Sequence, residues 1–79
     1  MPFDLSPDDI DRGRRTLALA PLKAERTRLC SFAGIYMNNM LRCEMRNDAF
    51  GMYQATRAAY QMLDEAARVS REIEAMEAQ

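Results

Sequence analysis

The sequence predicts an all-α fold: a short N-terminal helix followed by an antiparallel αα-hairpin of two long helices. Three observations carry this expectation. Apolar residues recur with a helical period from residue 22 onward, helix-start signals stand at Ser6 and at Asn47-Asp48, and 79 residues hold only three Gly and three Pro. So few turn residues cannot punctuate the short strands of a small β-barrel. With 48% apolar and 29% charged residues, the composition is that of a folded soluble chain rather than a disordered one. The chain is one domain's worth, and a domain of this size buries only about 60–65% of the surface its unfolded form exposes.

The first helix has the most complete start signal. Ser6 caps, Pro7 fits the first helical position, and Asp9 stands three residues after the cap to close a capping box. Leu5 and Ile10 occupy the two positions of a hydrophobic staple, and Asp8 and Asp9 sit where the helix dipole favours negative charge. The helix is expected from Pro7 to about Leu19, with Ile10 and Leu17 on its buried side and Gly13 weakening it by about 1 kcal/mol. Pro21 lacks a backbone donor and disfavours helical geometry at Ala20, so a break is expected at Ala20-Pro21. A continuous, kinked helix is the alternative.

The second helix is expected from Pro21 to about Arg46. At 100° per residue, Leu22, Leu29, Cys30, Phe32, Ala33, Tyr36, Met37, Met40 and Cys43 cover roughly half its circumference. Ile35 projects from the polar side, and Gly34 lies beside the apolar face, where another backbone could approach. Asn47 or Asp48 caps the third helix, expected from Ala49 to about Met76. Its inner track is Met52, Thr56, Ala59, Leu63, Ala66, Ser70 and Ile73, at heptad spacing. Ala55, Met62, Val69 and Met76 flank it on one side, with Tyr53, Tyr60 and Ala67 on the other. Half of that track is small, so the facing helix can come close, and the hairpin should be about 35–40 Å long. The apolar faces exceed what one hairpin covers. A two-fold dimer forming a four-helix bundle is therefore expected, the alternative being a compact monomer with the first helix folded over the hairpin.

Function is constrained mainly by exclusion. There is no His, and the two cysteines, Cys30 and Cys43, would sit about 20 Å apart on one helix, so neither a disulfide nor a metal site is expected. No cofactor motif is present, and paired acids such as Asp64-Glu65 fall on a solvated face, so no catalytic residue is assigned. The longest uncharged stretch, Leu29 to Leu41, is too short and polar to span a bilayer; no signal peptide is seen, and a cytoplasmic, non-membrane protein is expected.

The net charge of −1 hides blocks: −4 over residues 1–11, +5 over 12–28, +1 over 29–63 and −3 over 64–79. The basic block (Arg12, Arg14, Arg15, Lys23, Arg26 and Arg28) is a candidate contact for an anion or an acidic partner, its cations bracketing the expected break at Pro21. The acidic ends (Asp4, Asp8, Asp9, Asp11; Asp64, Glu65, Glu72, Glu74, Glu77) could compete for a basic site on a partner, or pair with the basic block. Seven Met, among them Met37, Met40, Met45, Met52 and Met62, cluster around the hairpin with Phe50, Tyr36, Tyr53 and Tyr60. They suit either a core or an adaptable binding surface. Ile35 and Met45, apolar on polar sectors, and the anchors Tyr36 and Tyr60 are the candidate partner-facing residues.

The reading is thus a non-enzymatic helical interaction protein with a protein partner. Its concrete form is an anti-CRISPR-like inhibitor of a host defence or regulatory complex, of the kind phages and mobile elements encode, by class-level analogy alone. A nucleic-acid-binding regulator using residues 12–28, or a structural subunit of a helical assembly, are the alternatives.

Overall fold

The computed structural model describes residues 5–78, which form two antiparallel helices: α1 (Pro7–Met45) and α2 (Ala49–Glu77). Asp4 of the acidic block lies outside the described residues. The molecule is a ribbon one helix layer thick, 65 × 26 × 11 Å.

α1 begins as its residues require. Ser6 Oγ accepts the backbone N–H of Asp9 at 3.2 Å, and an Asp9 carboxylate oxygen accepts the N–H of Ser6 at 3.3 Å, completing the capping box. The expected break at Ala20-Pro21 is absent: the short helix 7–19 and the helix 21–46 are one helix of 39 residues with Pro21 inside it. Two physical terms outweigh the proline. The stretch Leu17–Ala24 offers no Ser, Asn, Asp or Gly with which to cap two new helix ends, and a break would orphan up to four carbonyls and four N–H groups. In addition, Leu19 and Leu22, on either side of Pro21, pack into the same apolar cluster against α2, which favours keeping that turn helical. Pro21 itself is exposed, so the carbonyl of Leu17 that it cannot serve faces water.

The connection is three residues long. The N–H of Asp48 bonds the carbonyl of Cys43 at 2.8 Å and that of Asn47 bonds Glu44 at 3.1 Å, a Schellman closure with Asn47 in the left-handed region at φ 55°. Asp48, not Asn47, caps α2, accepting the N–H of Gly51 at 2.9 Å. A Cβ at Gly51 would collide with the Asp48 carboxylate and lie 2.9 Å from Cys43 Sγ, so a side chain there would have to displace the cap or the thiol.

The helices meet along one heptad seam each. On α1 it runs Leu19, Leu22, Arg26, Leu29, Ala33, Tyr36, Met40 and Cys43, all buried or half-buried. On α2 it runs Met52, Ala55, Ala59, Met62, Ala66, Val69, Ile73 and Met76. This shares Met52, Ala59, Ala66 and Ile73 with the expected track but takes Ala55, Met62 and Val69 in place of Thr56, Leu63 and Ser70. Leu63 is 37% exposed, at the rim. The seam carries alanine along its middle (Ala33, Ala55, Ala59) and larger side chains towards the open end, where Leu29 and Ile73 are each 2% exposed.

The remaining apolar residues find no cover. Ile10 and Leu17, expected inside, stand out because packing against α2 stops at Leu19 and no residue from Leu5 to Ala18 is buried. The overhang extends about 18 Å past the hairpin. On α1 the half-circumference apolar face is covered only along its centre; Cys30, Phe32 and Met37 are exposed on either side.

Candidate functional site

A single-layer hairpin has two flanks, one on each side of the seam, and the side chains sort between them by helical angle. On the first flank α1 presents Glu25, Arg28, Phe32, Ile35, Asn39, Arg42 and Arg46 at heptad spacing. Arg28 grips Glu25 with two nitrogens, Nε at 2.9 Å, and its guanidinium lies 5.6 Å from the Phe32 ring centroid. The hydrogen bond from Arg28 holds the Glu25 carboxyl below its ordinary pKa, and Glu25 raises that of Arg28, with a smaller contribution from Glu65 on α2. Towards the turn this flank opens into a groove of about 500 Å³ lined by Tyr36, Asn39, Arg42, Arg46 and Gln54 among others, with two guanidiniums and no carboxylate. Ile35, 55% exposed, stands on the same flank of α1, four residues before Asn39.

The second flank is apolar. Met37, Met40, Thr56, Ala59, Tyr60 and Leu63 line a groove of about 160 Å³ that carries no charge. Tyr36 and Tyr60, both expected to anchor a contact, therefore belong to opposite flanks. Met45, 86% exposed, closes α1 beside the turn, and Phe50 and Tyr53 line a further shallow depression on α2 with Arg57 and Gln61.

The charge blocks are dispersed along the rod. With α1 continuous, Arg12 and Arg28 lie about 24 Å apart, so the cations do not gather around a chain break. Arg12 and Arg15 share one cleft on the overhang with Asp8 and Asp11. Asp9 is engaged in the capping box, Lys23 pairs with Glu77 at 3.5 Å, and Arg14 is exposed while Arg26 is half-buried at the seam. On α2, Asp64 and Glu72 are exposed and Glu65 is half-buried beside Arg28's flank.

Among the described residues no polar or charged side chain is buried, and no three His, Cys, Asp or Glu could hold a metal ion together. Both cysteines are free thiols, and no helix is long and apolar enough to cross a membrane. Comparison with protein-family models, curated proteins and solved structures finds no match to the chain.

Phe32 was missed by sequence reasoning as a site residue, and so was its pairing with Arg28, itself already a candidate in the basic block. Their i, i+4 spacing was readable, but Phe32 looked like core until the seam was fixed.

Proposed function

We propose that the chain is a non-enzymatic protein-interaction module that acts by occupying a surface of a larger protein. The concrete form is an inhibitor of a host defence or regulatory complex, anti-CRISPR-like in size and mode of action. One observation carries the reading: the first flank sets the exposed apolar pair Phe32 and Ile35 among Arg28, Arg42 and Arg46. An aromatic and aliphatic anchor rimmed by guanidiniums is what docks on an apolar spot with an acidic border. Tyr36 lies in the same groove, its ring partly buried and able to offer a hydroxyl. Completion of the single layer by a second copy, giving a four-helix bundle, belongs to the same proposal.

Quantitative affinity capture tests it. Wild-type bait should retain a protein saturably, and free wild-type chain should compete it off. Ile35→Asp bait should lose that protein and Asn38→Ala bait should keep it. Retention that ignores Ile35→Asp, or no saturable partner at all, contradicts the reading.

A further inference from the structure

Each helix carries a second heptad stripe beside the seam. On α1 it is Lys23, Thr27, Cys30, Gly34, Met37, Leu41 and Glu44; on α2 it is Tyr53, Thr56, Tyr60, Leu63, Ala67, Ser70, Glu74 and Glu77. Both stripes lie on the second flank, as the shared groove of Met37, Tyr60 and Leu63 and the Lys23–Glu77 pair require. Between Thr27 and Leu41, and between Tyr53 and Ser70, neither holds a charge. The other flank differs: its α1 stripe is charged at Glu25, Arg28, Arg42 and Arg46.

The uncharged stripes are also symmetric about one level. On α1, Lys23 and Glu44 stand equidistant from the midpoint between Ala33 and Gly34, as do Cys30 and Met37. On α2, Tyr60 and Ala67, and Thr56 and Ser70, are centred on residues 63–64. The groove that Met37 and Met40 share with Thr56, Ala59, Tyr60 and Leu63 sets residues 33–34 within about one helical turn of the level of 63–64. The two midpoints therefore fall within about one helical turn of each other.

We infer that the second flank is the self-pairing face, on which a second copy of this chain stacks antiparallel about a two-fold axis at that level. The inference rests on the proposed completion by a second copy and names the surface and register. Rotation about that axis lays α1 along α1 of the partner and α2 along its α2. Lys23 then meets Glu44 of the partner subunit, twice, at the two ends of the strip, about 31 Å apart. Cys30 faces the partner's Met37, Leu63 meets its own copy near the axis, and Gly34 marks the point of closest backbone approach. A Cβ at Gly34 would meet nothing within 4 Å in the single chain, so the packing inside the hairpin does not need glycine there. The strip covers roughly 600 Å² in projection, the same order as the ~800 Å² each partner gives to a standard interface.

Light scattering over a concentration series, on wild type, Gly34→Leu and a Cys43→Ser/Met37→Cys variant, tests this. Wild type should pass from monomer to dimer. Gly34→Leu should weaken dimerisation at least tenfold while keeping or raising helix content, because a bulky side chain fits the hairpin but blocks the crossing. Oxidation with diamide should link thiols at positions 30 and 37 between chains in the double variant, whereas Cys43→Ser alone stays unlinked, its two thiols lying about 10 Å apart along the axis. A dimer that neither cross-links nor responds to Gly34→Leu overturns this face while leaving the partner-binding flank standing. A monomer at every concentration up to roughly 1 mM overturns self-pairing altogether. Capture through Ile35 reads the other flank, so the two failures are told apart.

Discussion

Lys23 Nζ meets a Glu77 carboxylate oxygen at 3.5 Å, joining the middle of α1 to the last turn of α2. Both side chains are about half exposed, so the pair contributes no more than about 1 kcal/mol; its importance is positional. It marks where α2 ends, and so where the first turns of α1 leave the hairpin and both flanks stand open.

Pro21→Ala should stabilise the protein. Inside a continuous helix the substitution restores an N–H donor to the carbonyl of Leu17 and removes a ring clash, a gain of about 1–3 kcal/mol. At a helix start proline is favourable and the change would be neutral or harmful. Denaturant unfolding distinguishes the two signs.

Ile73→Ala should cost about 2–5 kcal/mol, as for other large side chains removed from a packed seam, since Ile73 is 2% exposed in the apolar cluster. Leu63→Ala should cost the hairpin much less and act chiefly on association. Unfolding midpoints at low and high protein concentration separate these effects.

Gly51→Ala should destabilise despite alanine's better helix propensity. The added methyl displaces the Asp48 cap, worth about 1 kcal/mol, and crowds Cys43 Sγ. Equilibrium unfolding reads the loss, and a gain in stability would mean that the turn is built differently.

The pH response has a definite sign. Arg28 holds the folded-state pKa of Glu25 below its ordinary 4.5, so this contact stabilises above that value and is lost as pH falls through the lower folded pKa. Glu25→Gln should flatten stability against pH in the acid range, measured by denaturation between about pH 3 and 6.

Much of this architecture was legible in the sequence, and the failures have causes. The capping box at Ser6 and the turn at Asn47-Asp48 are local chemistry and appear where the residues place them. Pro21 misled because its local cost is visible in sequence, whereas the shared packing of Leu19 and Leu22 that overrides it is not. The seam of α2 shifted by one column, from Thr56, Leu63 and Ser70 to Ala55, Met62 and Val69. Two adjacent stripes were both apolar enough, and only the surface of α1 chooses between them. Ile35 and Met45 could be read as exposed because they interrupt polar sectors, and the structure exposes both. The division of Tyr36 from Tyr60 between opposite flanks depends on the seam and could not be read beforehand.

α1 continues as one helix past the hairpin, leaving neither flank covered by its own N-terminal turns. Spin labels at positions 14 and 38, in a chain with Cys30 and Cys43 replaced by Ser and diluted with unlabelled protein, measure this by pulsed dipolar spectroscopy. An unbroken helix predicts a separation of about 36 Å between the labelled backbone positions. A distance near 20 Å would place the first turns back against the hairpin and contradict the account.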